Sequence, residues 1–211
     1  MSTALRDASR SRAAILDAAE SVFAERGFTA SSLGEIASAA GLSRATPSYF
    51  FGSKDQLYSA VLQRVFEERE AATERVFQSV VKWARQETRQ TLGGALTEAI
   101  SGYVDFLQRR PAFVRLIQHE GLSGGERLHK APRRSRAMSN AFEELHSRRR
   151  QLGLNDFRVD DAVLILVSLT FSPLTQQATF MTTLGRDLGD ARTRREHVRL
   201  VVSQLSHLME C

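Results

Sequence analysis

At 211 residues, 42% hydrophobic and 25% charged, the chain carries enough apolar mass for a substantial core, which excludes general disorder. Twenty-nine Lys and Arg against 24 Asp and Glu give a formal charge of +5 and a pI near 10.0, a balance that favours polyanionic partners, whether nucleic acid or an acidic membrane surface. The single cysteine, Cys211, excludes a disulfide framework or a thiolate metal site within one chain and fits a reducing cytoplasm.

Segment 1–11 holds Arg6, Asp7 and Arg10 and lacks the apolar stretch of a signal peptide. From Ser11 to Arg26 the residues Ala14, Ile15, Ala18, Ala19, Val22 and Phe23 recur at three- and four-residue spacing, which predicts a short amphipathic helix closed by Gly27. Ser31 or Ser32 can cap a second helix, Glu35 standing three residues after Ser32 in the place of a capping box, and Gly41 ends it after barely two turns. Ser43 is read as the cap of a third helix over Arg44 to Phe50, with Gly41 and Leu42 as the tight connection. Ser53 then caps a longer helix from Lys54 to the region of Val76.

The remainder is predicted as more helices: Leu92 to Arg109, a shorter one from Pro111, one from about Pro132 to Arg150, Val159 to Gln177 bent at Pro173, and Arg194 to Met209. Recurrent alternating segments of strand length are absent, so the expected fold class is all-α. An N-terminal three-helix helix-turn-helix domain (1–55) would carry a larger helical bundle (56–211). The apolar run Ala162 to Leu169, which includes Ser168, is too short to span a bilayer, so no membrane partner is expected.

Two short helices joined by a glycine turn are unstable alone and need a third helix to cover their apolar sides. Ile15, Ala19, Phe23, Leu33, Ile36, Leu42, Phe51 and Leu57 are expected to form that core. The arrangement leaves a polar surface around Arg44, Thr46, Ser48 and Tyr49. Such a helix fits the DNA major groove, where the Arg44 guanidinium can donate two hydrogen bonds to guanine O6 and N7. The hydroxyls of Thr46, Ser48 and Tyr49 suit phosphate oxygens, as do Ser32 and Lys54 at helix starts. Pro47 fixes the opening turn of the third helix, and Arg6, Arg10 and Arg12 could reach phosphates or a minor groove.

The run Ile15-Leu16-Asp17-Ala18-Ala19, then Phe23-Ala24-Glu25-Arg26-Gly27-Phe28, then Ser31 to Ala37, then Ala40 through Tyr58 resembles the N-terminal domain of tetracycline-repressor-type regulators. The resemblance implies a homodimer that binds a palindromic double-stranded operator, usually represses, and releases DNA when a small molecule enters the larger domain. It also implies that Ser32, Arg44, Ala45, Thr46, Ser48, Tyr49, Phe50 and Lys54 fall on positions that commonly face DNA. Ala45 stands where the family often has glycine and Ser48 where it often has tyrosine. Activation by the same fold is the alternative regulatory role.

In the body, Leu164, Val167 and Phe171 on one helix and Val198, Val201, Val202 and Leu205 on another are the expected dimer interface, since pairing would present two recognition helices to adjacent turns of DNA, with burial within one chain as the alternative. Phe106, Phe113, Leu116, Ile117, Met138 and Phe142 are expected to line a cavity for a hydrophobic or aromatic effector, with ordinary core as the competing reading. The clusters Arg133, Arg134, Arg136 and Arg148 to Arg150 read as solvated faces. His119-Glu120 with His129, and Glu143-Glu144 with His146, do not complete a metal or catalytic constellation. No cofactor, metal or catalytic residue is therefore expected, and a helical metal-dependent enzyme is the remote alternative.

Overall fold

The computed structural model describes residues 3–130 and 135–210, with side chains for 6–128 and 135–210. The expectations placed on Pro132, Arg133, Arg134 and Cys211, and on the His129 side chain, lie outside these. Among the described residues there is no strand, and the elements run α1 (Thr3–Arg26), α2 (Leu33–Ala39), α3 (Thr46–Phe51), α4 (Lys54–Ala84), α5 (Leu92–Arg109), α6 (Pro111–Leu122), α7 (Arg136–Leu152), α8 (Val159–Thr175) and α9 (Ala191–Met209). A short 3₁₀ turn, Glu126–Lys130, follows α6, and a π turn, Gln177–Met181, follows α8. No helix among the described residues is long and apolar enough to cross a membrane.

The chain divides into two compact units, one of Met1–Glu67 with Pro111–Arg133 and one of Glu68–Arg110 with Arg134–Cys211. Helix α4 runs unbroken through the boundary expected at residue 55 and eight residues past Val76. Nothing in 55–84 interrupts it: the stretch holds neither glycine nor proline, and Leu57, Val61, Leu62, Val65 and Phe66 are all buried. The first helix likewise begins at Thr3, not Ser11, because 3–10 also lacks a helix breaker.

In the first unit α1 packs on α2, α3 and α6. Ile15, Ala19, Phe23, Ile36 and Leu57 are fully buried and Phe51 nearly so, as the spacing required. Leu33 and Leu42 are only half-buried. Each lies beside a helix end, where part of the surface stays open. Arg64 ties α4 back to α1, donating from Nη1 to Asp17 Oδ1 at 2.6 Å and from Nη2 to Leu16 O at 3.1 Å and Glu20 Oε2 at 2.5 Å.

In the second unit α9 packs on α5 and α8, and α7 on α8. Helix α9 starts three residues before the expected Arg194 because Asp190 caps it, accepting from Thr193 N at 2.7 Å. The bonded carboxylate holds Asp190 below the usual carboxylate range, with the Thr193 backbone amide as the largest cause. Pro173 is accommodated inside α8, whose regular geometry ends at Thr175 before the π turn.

Candidate DNA-binding site

Helix α2 has seven residues, too few to persist without help, and its start is locked from both sides. Ser32 Oγ accepts from Glu35 N at 3.2 Å, while Glu35 Oε2 accepts from Ser32 N at 2.9 Å, the capping box that the spacing announced. Arg26, at the end of α1, pairs with the other oxygen of Glu35. Gly41 then turns the chain with φ +67°, a left-handed conformation that glycine adopts without steric cost, and Leu42 N reaches back to Ala37 O at 2.9 Å.

The third helix starts two residues later than the sequence suggested. Ser43 does not cap it: its hydroxyl hydrogen-bonds Thr46 Oγ1 at 2.7 Å and its carbonyl accepts from Thr46 N at 3.0 Å, closing a turn, and Ala45 occupies the N-cap position without a side-chain bond. Proline explains the shift. With Thr46 as the first helical residue, Pro47 is the second, where the amide it lacks has no intrahelical acceptor to lose.

Arg44 and Ala45 therefore project from the turn between helices, not from α3 itself. Arg44 is exposed and lies back across α2, so near Gly34 that a methyl there would stand 3.5 Å from its Nε. On α3, Ser48 is exposed and Tyr49 is 84% exposed, its ring edge-on to Phe50 with centroids 5.2 Å apart. Thr46 and Phe50 are half-buried, and Pro47 and Phe51 form the inner side. Phe51 carries the Arg12 guanidinium 4.8 Å above its ring, which anchors α1 to the end of α3.

Lys54, expected at a helix start as a phosphate contact, turns its ammonium back onto the protein. Its Nζ donates to Phe28 O and Ser31 O, both at 2.8 Å, and sits 4.3 Å from the Phe28 ring centroid. The Arg127 guanidinium, from the turn after α6, also lies on that ring, at 3.8 Å, and its Nε stands 3.8 Å from Asp55 Oδ1. Below them, the Tyr58 hydroxyl donates to buried Glu120 Oε1 at 2.8 Å. Burial, then the bond to Glu120, pushes the Tyr58 phenol far above its ordinary value. These contacts hold the α1–α2 connection and the start of α4 together.

Sequence reasoning missed three of these supports. Gln56 completes a second capping box, its Oε1 accepting from Ser53 N at 2.9 Å while Gln56 N donates to Ser53 Oγ at 3.2 Å. The Ser-x-x-Gln spacing was there to be read. Gly34 under Arg44, and Arg127 on Phe28, had no signal, since the partners lie ten and 99 positions apart in the chain.

Of the six residues expected around an effector, Phe113, Leu116 and half-buried Ile117 belong to the first unit, and Phe106, Met138 and Phe142 to the second. Phe113 meets Phe66 edge-on at 5.8 Å and Phe142 meets Phe77 at 6.1 Å. Of the seven expected at a dimer interface, Val198, Val201 and Leu205 turn inward to the packing of α9 on α5 and α8. Leu164 is 64% exposed, and Val167, Phe171 and Val202 are half-buried. Among the described residues no group of three or more His, Cys, Asp or Glu could hold a metal ion. Glu144 instead pairs with Arg85 and Arg148, and Glu120 with Tyr58.

Comparison with known proteins places this architecture. A repressor named NicS, an HTH-type transcriptional repressor of Pseudomonas putida, is 24% identical over 201 residues, 93% of this chain and 91% of its own length. An HTH-type transcriptional activator named FasR, from Mycolicibacterium smegmatis, is 34% identical over 108 residues, half of this chain and 44% of its own. Among solved structures, a TetR-family regulator from Mesorhizobium loti superposes with a TM-score of 0.70 at 17% identity, covering 97% of this chain and 98% of its own. Another, from Marinobacter aquaeolei, gives 0.67 at 22% identity, covering 98% of each. At those identities the structures attest the fold. The family model for bacterial regulatory proteins of the tetR family matches residues 15–61, across the capped helices just described. Because the tetracyclin repressor-like C-terminal domain matches residues 94–204, more than half of the chain, the protein belongs to the tetR family of bacterial transcriptional regulators.

Proposed function

We propose that the protein is a homodimeric, cytoplasmic repressor that grips a palindromic operator through the Arg44–Tyr49 surface and lets go when a small apolar or aromatic molecule binds the body. The observation that carries this reading is the exposed set Arg44, Ala45, Ser48 and Tyr49 on a wedge whose inner side, Ile36, Pro47 and Phe51, is buried. A rigid, narrow polar edge of this kind can enter a major groove, with Arg44 donating to base edges and Ser48, Tyr49 and Ser32 positioning on phosphates. Thr46, Phe50 and Lys54 complete the surface, Lys54 by bracing it from behind.

Dimerisation is supported by where apolar surface is left. Leu164 of α8, Phe180 and Leu184 of the following segment, and Leu200 of α9 are all large hydrophobics between 45% and 64% exposed. Pairing of two chains through such residues would bury them and set two recognition surfaces about 34–36 Å apart, the spacing of half-sites one helical turn apart. Repression is favoured by the likeness to the NicS repressor along nearly the whole chain. Activation is the second reading, favoured by the higher identity, over half the chain, to the FasR activator. Both likenesses support a regulatory role, and the effector is assigned to the body helices.

Nuclease protection of genomic fragments by the purified protein tests the reading. A protected palindrome is the expected result, and Leu164→Asp should shift the protein toward monomer in sedimentation and lower operator affinity at least tenfold. Salt-dependent binding with no preferred fragment would overturn sequence-specific regulation. Reporter transcription with and without the protein separates repression from activation.

A further inference from the structure

The second unit carries a groove of about 680 Å³ between α4 and α5 that none of the preceding roles uses. Its floor is Ala71, Ala72, Val76, Gly102 and Phe106, and its rim is Arg75, Arg109 and Arg110 with Glu68. The two helices come so close here that a methyl on Gly102 would stand 2.4 Å from Val76 Cγ1. Glycine at 102 and alanines at 71 and 72 therefore give a shallow apolar trough without protruding side chains.

The rim is electrostatically one-sided. Three guanidinium groups face one carboxylate, and that carboxylate is already engaged, Glu68 Oε2 lying 2.5 Å from Arg110 Nη2. Arg75 and Arg109 are exposed, and among the described residues no carboxylate lies within 4.0 Å of either; Arg75 Nε is bonded only to the Ala71 carbonyl, at 3.2 Å. Two unneutralised, forked donors over an apolar trough match a carboxylate head on an apolar chain, since guanidinium binds carboxylate bidentately and the tail gains by leaving water. The volume lies in the range of small-molecule sites.

We infer that this groove binds a soluble single-chain amphipathic carboxylate, held at its head by Arg75 and Arg109 and along its tail by Ala71, Val76, Gly102 and Phe106. Its use as the effector site rests on the regulatory reading above, whereas the binding itself does not. The groove gives the effector a chemical class, an organic acid with an apolar chain, and includes Phe106, one of the residues the sequence singled out for a pocket.

Calorimetric titration of the full-length protein with decanoate, decanol and decyltrimethylammonium, each below its micelle concentration, tests it. Decanoate should bind at least tenfold tighter than decanol, and the cation should not bind measurably. The double substitution R75Q/R109Q should bring decanoate down to the level of decanol without changing the decanol affinity. Ala71→Trp, at an exposed position where a large side chain needs no repacking, should fill the trough and abolish both. Equal affinity for decanoate and the cation, or decanoate binding unaffected by Ala71→Trp, would overturn the assignment, as would binding to phosphatidylglycerol vesicles but not to free decanoate. Operator binding measured with saturating decanoate then stands apart: binding without release leaves the groove assigned and removes its regulatory role.

Discussion

The headpiece, the first unit with its short helices α2 and α3, and the body, the second unit, solve the same problem, keeping helices folded, by different means. Helices α2 and α3 have seven and six residues and are held by their ends, through the Ser32–Glu35 box, the Ser43–Thr46 turn, and clamps such as Arg127 and Lys54 on Phe28, while the Ser53–Gln56 box starts α4 directly after them. Helices α5, α8 and α9 have 17–19 residues and are held by their sides, along buried faces such as Leu96, Ile100, Tyr103 and Leu107. Short helices fixed at their termini leave their flanks free to meet a partner, whereas long helices packed along their length commit one face to the core. The difference teaches where to look for function: in the headpiece on exposed flanks, and in the body on the apolar surface that packing has left over.

Core truncation in the headpiece should break the contrast most severely. Phe23→Ala removes a fully buried ring in edge contact with Tyr58 at 4.8 Å, and should cost about 3–5 kcal/mol in urea unfolding. Loss of DNA binding before loss of body helicity is expected, because α2 and α3 cannot persist without that core. Coincident loss of both would show that the two regions unfold as one.

Next in size are the polar contacts. Arg44→Ala should weaken operator binding by about 1–3 kcal/mol and relax preference at one base position. An equal loss on every sequence would reassign Arg44 to the phosphate backbone, in keeping with its position in the turn over Gly34. Tyr58→Phe leaves buried Glu120 without its donor and should cost about 1–3 kcal/mol near neutral pH.

The tyrosines also set an alkaline limit in each region. Burial raises both Tyr58 and Tyr103 above the ordinary phenol value, so the unfolded chain loses these protons first. Their contribution is complete below about pH 10, the pKa of an unfolded tyrosine, and declines as pH rises beyond it. Tyr103→Phe should flatten that decline for the body and Tyr58→Phe for the headpiece, read as unfolding free energy from pH 9 to 11. Smallest of all, Ser32→Ala should cost about 1 kcal/mol through the lost cap. A loss in DNA affinity larger than the loss in stability would show that the Ser32 hydroxyl also meets DNA.

The legible part of this protein was its punctuation and its periodicity. Gly41 and the Ser32–Glu35 spacing marked α2, and Leu92 to Arg109 was readable as α5 to the residue, because caps and apolar stripes act within one or two turns of the chain. Helix starts were less legible where two local signals competed: Ser43 pointed to one start for α3, and Pro47 enforced another. Of the candidate DNA surface, the exposure of Arg44, Ser48 and Tyr49 follows from the local helix pattern, whereas the Lys54 side chain answers to two carbonyls more than twenty residues earlier in sequence, which no local pattern announces.

By itself, then, the sequence determined that the chain is helical and where its short helices begin and end to within a few residues, since both are set by neighbours within about four positions. Tertiary packing alone decided that Val198, Val201 and Leu205 face inward while Leu164 faces out, that Arg127 reaches Phe28, and that α4 and α5 leave a trough rimmed by guanidinium groups. A periodic stripe states that one face of a helix is apolar; which element covers that face is settled only when distant segments of chain compete for the same buried space.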